Sequence, residues 1–318
     1  MRRALCVGID QYGAGPLQGC VSDATRMATA LSRNEDQSPN FDCRQLIAPI
    51  GGPLDIVTRA VLREQLHHLF RDPAEVALFF FAGHGTVNNL GGYLVTQDAA
   101  HYDDGVALGD VLQMANDSAA EEAVVVLDSC FSGWMGNEPA ANNMAVLREG
   151  VSILTASRGD QASVEVAGGG LFTSLVVDAL EGGAANVLGA VSVPAIYAYV
   201  EGALGPWAQR PLFKAHVSKV VDLRCCTPPI SRAILRRVPQ LFPLPAEDLP
   251  LNPSFEKTSP APDAGNIAIF TELQALNRVH LVTPVDATHM YDAAMQSTAC
   301  RLTPSGRYYW RLATDGRI

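Results

Sequence analysis

The chain has 318 residues, 48% apolar and 18% charged, which suits a globular protein with room for one large domain and a small one. A formal net charge of −10 argues against a nucleic-acid-binding body, which needs basic patches for phosphate, and slightly favours cationic partners. No apolar stretch reaches the roughly 20 residues a membrane helix needs, and the run after Arg2 and Arg3 is too short for a signal segment.

Seven scattered cysteines, with no CxxC pair, point to a reduced, cytoplasmic protein without a disulfide framework or zinc site. In chain order, Leu5 to Ile9 reads as a strand and Ser22 to Arg33 as a helix with Ala24, Met27, Ala28 and Leu31 on one face. Gln45 to Ala48 is a short strand. Thr58 to Phe70 is an amphipathic helix with Val61, Leu62, Leu66 and Leu69 inward. Val76 to Phe81 is a buried strand, Val106 to Ala115 a helix, and Val124 to Leu127 and Val151 to Thr155 are strands. Leu171 to Leu180 and Val193 to Leu204 read as helices. Strand–helix alternation of this kind predicts an α/β domain with a mostly parallel sheet sandwiched by helices, over residues 1–225.

After Arg224 the composition changes. Prolines crowd residues 226–262, which reads as an extended linker carrying one short basic helix, Ser231 to Val238. Residues 263–318 read as a small α+β module. It has helices at Ile267 to Leu276 and His289 to Ser297, then a Gly turn between aromatic strands over Leu302 to Leu312, a winged-helix-like pattern. Arg301, Arg307, Arg311 and Arg317 give this module some positive charge, read as solvated side chains.

Two strands end in chemistry-bearing turns. Val76 to Phe81 runs into Ala82-Gly83-His84-Gly85, and Val124 to Leu127 into Asp128-Ser129-Cys130-Phe131-Ser132-Gly133. In an open parallel sheet, ligands gather beyond the carboxyl ends of the strands. A His and a Cys delivered there can form a thiolate–imidazole pair for covalent acyl transfer. Free cysteine titrates near pKa ~8.5, so Cys130 needs an activating partner, which His84 supplies before protonating the leaving amine.

The Gly-His-Gly and Asp-Ser-Cys-x-Ser-Gly motifs are preceded by an opening block, Val7-Gly8-Ile9-Asp10-Gln11-Tyr12 with Leu17-Gln18-Gly19-Cys20-Val21-Ser22-Asp23-Ala24. Together they resemble the caspase-like cysteine peptidases of the metacaspase and prokaryotic-caspase branch, over roughly residues 4 to 224. The His-to-Cys separation fits the caspase spacing of about 50 residues. The animal-caspase Gln-Ala-Cys-x-Gly context is absent. The resemblance implies a Cys130–His84 dyad without a required third member. It also implies a thioester acyl-enzyme, an oxyanion hole from the backbone N–H groups of Gly85 and Cys130, and a substrate pocket formed by Asp23, Asp128 and Cys20. At the serine position of many metacaspases this chain has Ala82.

Two carboxylates in one apolar pocket repel each other unless a cation arrives, and arginine binds such groups through paired hydrogen bonds. The expected activity is therefore cleavage of protein substrates after Arg, and less well after Lys. An Asp-specific pocket would instead carry arginines. No cofactor is expected. Calcium is not favoured, because the acidic cluster that would hold it, including Asp98 and Asp110, is thinned by Gly109 and Asn137. Residues 134–150 correspond to the loop between large and small caspase subunits, which makes Arg148 a candidate nicking site for the enzyme itself or an activating protease. Arg232, Arg236 and Arg237 are rivals. By resemblance, such proteins serve bacterial stress, cell-death or antiviral defence pathways. The competing reading is a catalytically silent scaffold that recruits partners through the C-terminal module.

Overall fold

A computed structural model of the chain describes residues 1–13, 15–88, 91–100, 105–129, 146–156, 165–166, 169–204 and 210–318. They divide into two compact units, Met1–Ala185 with Ala190–Thr227, and Asn186–Gly189 with Pro228–Ile318.

The first unit opens with β1 (Arg2–Ile9), α1 (Cys20–Ser32), β2 (Asp42–Ala48), α2 (Arg59–Arg71) and β3 (Val76–Ala82). Three short strands follow, β4 (Gly85–Asn88), β5 (Gly91–Leu94) and β6 (Val106–Ala107), then α3 (Leu108–Asn116), β7 (Glu122–Asp128) and β8 (Val151–Thr155). The remainder is β9 (Glu165–Val166), β10 (Gly169–Gly170), α4 (Leu171–Asp178), β11 (Ala190–Ser192), α5 (Val193–Leu204), β12 (Leu212–His216) and β13 (Asp222–Cys225).

Six strands form the central sheet in the order β12-β8-β7-β3-β1-β2. All neighbours are parallel except β12, which runs antiparallel to β8. Strand alternation sorts the side chains to two faces. Cys6, Leu78, Phe80, Val124 and Val126 join α1, α4 and α5 in one core. Leu5, Val7, Ile9, Phe79, Phe81 and Val125 join α2 and α3 in the other. The middle strand β3 is buried along its whole length, so its seven residues are all apolar. The chain steps from β1 outward to β2, then back across β1 to β3. That reversal creates a crevice at the carboxyl ends of β1 and β3, where this architecture gathers its ligands.

The second unit contains α6 (Arg232–Leu241), β14 (Leu249–Pro250), α7 (Ala264–Arg278), β15 (Val282–Val285), α8 (Met290–Met295), β16 (Ala299–Leu302) and α9 (Pro304–Thr314). Its three strands form an antiparallel sheet in the order β14-β16-β15. Two expectations are corrected here. The proline-rich stretch 226–262 is not an extended linker: Leu235, Val238, Phe242, Leu251 and Phe255 are interleaved with its prolines and buried in this unit's core. The expected hairpin over Leu302 to Leu312 is also absent. Thr303 caps that segment through its hydroxyl and Pro304 opens it as helix α9, while β15 and β16 are joined through α8 and leave no hairpin wing.

Candidate active site

Parallel register places the candidate site. Ala82, the last residue of β3, lies opposite Asp128, the last residue of β7, and Gly8 of β1 lies on its other side. Beyond this line the Gly83 N–H donates to the Asp128 carbonyl at 3.3 Å. His84 follows Ala82 by two residues, and Cys130 follows Asp128 by the same two. Cys130 itself lies outside the described residues, as does the expected loop up to residue 145.

The imidazole of His84 is held from two sides. Its Nε2 is 2.6 Å from the carbonyl oxygen of Gly15. A carbonyl can only accept, so Nε2 carries the proton and Nδ1 is the basic nitrogen of the neutral ring. The buried Tyr12 packs its ring 4.7 Å from the imidazole and accepts the His84 backbone N–H at 3.0 Å. The His84 carbonyl in turn accepts the Val95 N–H at 3.0 Å. Burial pushes the Tyr12 phenol well above its ordinary value, so its hydroxyl stays neutral. Gly85 opens β4 directly after the histidine, opposite Leu94.

Asp23 and Asp128 are brought together beside Gly170. A Cβ on that glycine would lie 2.2 Å from Asp128 Oδ2 and 3.2 Å from Asp23 Oδ2, so only glycine fits against both carboxylates. Asp23 is 2% exposed. Its Oδ2 accepts the Gly170 N–H at 2.7 Å, and its Oδ1 receives Arg26 Nη2 at 2.5 Å. Asp128 Oδ2 accepts the Thr173 hydroxyl at 2.7 Å and the Thr173 N–H at 3.3 Å, which satisfies the first turn of α4. Burial holds the Asp23 carboxyl above its ordinary range, against the lowering effects of the Gly170 N–H and of Arg26. Nearby, Asp10 at the end of β1 accepts the backbone N–H of Cys20 at 2.8 Å, anchoring the start of α1. Cys20 and Ala82 are both buried at this edge.

The structure changes the reading of Arg148. Its guanidinium donates to the carbonyls of Glu149 at 2.6 Å, Ala120 at 2.8 Å and Ser118 at 3.2 Å. It is a tether between loops, and cleavage by an enzyme that takes up this side chain would require these bonds to break. The rivals sit on or beside helix α6, where Arg237 pairs with Glu272 and Arg236 donates to the Ile318 carbonyl. Of the two aspartates considered for calcium, Asp98 accepts the Arg59 N–H and the Thr96 hydroxyl, and Asp110 pairs with Arg63. Among the described residues no three His, Cys, Asp or Glu side chains gather as a metal site.

Five contributors were not singled out for a role from sequence: Tyr12, Gly15, Arg26, Gly170 and Thr173. Gly15 and Gly170 act through backbone atoms, which leave no side-chain signature. Arg26 had a legible signal, its position three residues after Asp23 on the same helix.

A mostly parallel sheet between helices, with His84 just beyond β3 and Asp128 at the end of the neighbouring β7, defines the caspase-like class of peptidase folds. The chain belongs to the caspase-domain peptidase family, whose model matches residues 1–221. That family is one of cysteine peptidases, hydrolases whose substrates are proteins. Many solved structures share the fold, two crystal structures among them. The protein GSU0716 from Geobacter sulfurreducens matches with a TM-score of 0.51 at 16% identity, covering 69% of this chain and 95% of its own. Caspase-1 from Spodoptera frugiperda matches with a TM-score of 0.50 at 9% identity, covering 71% of this chain and 90% of its own. No curated protein matches the chain in sequence. Among the described residues no helix is long and apolar enough to cross a membrane.

Proposed function

We propose that the protein is a cysteine endopeptidase that cleaves protein substrates after arginine, and less well after lysine, with Cys130 as nucleophile and His84 as its acid–base partner. The observation that carries this reading is the convergence of Asp23 and Asp128 at the strand edge that also bears His84. A buried pair of carboxylates calls for a cation, and a guanidinium meets it with several donors in one plane.

The Gly15 carbonyl fixes Nε2 as the protonated nitrogen, leaving Nδ1 to take the thiol proton. The resulting thiolate attacks the scissile carbonyl carbon and forms a C–S bond. The tetrahedral oxyanion is met by backbone N–H groups, with Gly85 and Cys130 as the donors. Collapse breaks the C–N bond, and the leaving amine takes the proton from the imidazolium. Water then gives a proton to the neutral imidazole as it attacks the thioester, and the acid product leaves with the thiol restored. The scheme uses no metal or cofactor.

Fluorogenic peptides ending in Arg, Lys or Asp, assayed with the wild-type protein, Cys130→Ala and Asp128→Asn, test this. Cleavage after Arg exceeding Lys, no turnover in Cys130→Ala and loss of the Arg preference in Asp128→Asn are expected. Preference for Asp would refute the acidic pocket, and no turnover before or after limited nicking would favour the scaffold.

A further inference from the structure

The buried carboxylate of Asp23 already has a guanidinium on it. Arg26 lies one helical turn further along α1, with Nη2 2.5 Å from Asp23 Oδ1 and 3.1 Å from the Ser174 hydroxyl oxygen. Ser174 gives its own proton to the Gly170 carbonyl at 2.9 Å, so its oxygen is left to accept. The guanidinium therefore bridges α1 and α4 beside β10, and a Cβ on Gly169 would come within 3.0 Å of it. The Arg26 side chain is 39% exposed and Asp23 is 2% exposed. An arginine thus reaches in from solvent to a buried acid, which is the approach a substrate arginine would make.

We propose that Arg26 is a specificity-determining residue, a resident cation that occupies Asp23 and must yield to the basic side chain of the substrate. This rests on reading Asp23 and Asp128 as the cation pocket. Two charges follow different rules here. A pair with both partners in water contributes little, but this carboxylate is buried and cannot be left alone without cost. Arg26 therefore keeps the acid compensated while the pocket is empty. Its positive charge also reduces the attraction that an incoming cation feels. Removing the resident charge would expose the full attraction of both carboxylates. With the exposed guanidinium screened almost as fully as in bulk water, like charges about 4 Å apart then predict a change in cation affinity of at least about fivefold.

The test compares wild type, Arg26→Gln and Arg26→Lys. Ethylguanidine, a mimic of the arginine side chain that needs no turnover to bind, is titrated by ligand-observed NMR. Steady-state kinetics are measured with the peptide ending in Arg, and a melting curve establishes that each variant is folded. Arg26→Gln is expected to bind ethylguanidine about five- to tenfold more tightly and to lower KM for the Arg peptide by a similar factor. Arg26→Lys, which keeps the charge, stays close to wild type. Unchanged or weaker ethylguanidine binding by Arg26→Gln overturns the proposal, because an arginine that merely orients Asp23 gives that result. If the Arg peptide is still cleaved in that case, only the role of Arg26 falls. If neither protein binds ethylguanidine and cleavage follows Asp instead, the pocket reading falls with it. Should Arg26→Gln fail to fold, Arg26→Lys decides: binding weakened more than about threefold with the charge retained marks a geometric role and overturns the proposal, and unchanged binding supports it.

Discussion

Replacing Tyr12 with Phe removes one oxygen from the support of the imidazole and leaves the ring stack in place. The Tyr12 hydroxyl accepts the His84 backbone N–H at 3.0 Å and reaches the Val95 carbonyl at 3.4 Å. The residue is 5% exposed, so water does not readily replace the lost oxygen. Leaving the His84 N–H unsatisfied costs about 1–3 kcal/mol. For a unit of this size that lowers the melting temperature by about 2–4 °C per kcal/mol. The Gly15 carbonyl still fixes the tautomer, so the chemical step survives with a less restrained ring. A fall of about tenfold in kcat corresponds to roughly 1.4 kcal/mol lost in the transition state, with KM unchanged. The phenol stays neutral in the folded protein, so the wild-type to variant ratio of kcat should be flat between about pH 6 and 9. Peptide hydrolysis across pH, with calorimetry of both proteins, measures each quantity. A variant with unaltered melting temperature and kcat would refute the claim that Tyr12 positions His84.

Gly170→Ala forces a methyl group to 2.2 Å from Asp128 Oδ2, so a loss of about 1–3 kcal/mol and lower kcat/KM for the Arg peptide are expected from urea unfolding and kinetics. An unperturbed variant would mean that β10 does not lie against the carboxylates. Arg148→Gln removes a guanidinium held on three carbonyls and should lower the melting temperature while leaving any self-cleavage fragments unchanged on a gel. Loss of a fragment would restore Arg148 as the nicking site. Burial raises the Asp23 carboxyl above 3.8 while Arg26 and the Gly170 N–H lower it, with Asp10 adding a raising influence and Asp128 close by at Gly170. The folded form therefore holds this proton more tightly than the unfolded chain. Its penalty to folding is present above the folded pKa and relieved as pH falls through it toward 3.8. Binding of a substrate cation needs the ionised acid, so KM for the Arg peptide should rise in that same window. A break at or below 3.8 in the pH dependence of KM would contradict this.

The parts of the fold legible in sequence were those where one physical signal dominates. The all-apolar runs of β3 and β7 and the one-sided faces of α1 and α2 had a single reading. The short strands β4 and β5 were not, because their glycines carry no alternation to read. In α9, Gly306 suggested a turn. It is instead a helical residue with the Leu281 carbonyl 2.0 Å from where its Cβ would be, so it is glycine for contact and not for conformation. Prolines in 226–262 signalled the loss of backbone donors, but the apolar residues between them decided that the segment folds. In the candidate site, His84, Asp23 and Asp128 stood in motifs. The backbone partners that orient them depend on tertiary approach, which composition and spacing do not encode.

One short stretch of chain, from Asp10 to Arg26, carries both grips of the candidate site. Tyr12 and Gly15 hold the ring that would move protons, and eight residues after Gly15 comes the acid that would choose the side chain to be cut. Because Asp10 pins the start of α1, a pull on one end of this stretch is felt at the other. Engineering a new cleavage preference into this protein is therefore unlike swapping an independent part. Every retuned variant should be expected to arrive with an altered turnover rate, and selection for preference alone would drift the catalytic ring out of tune.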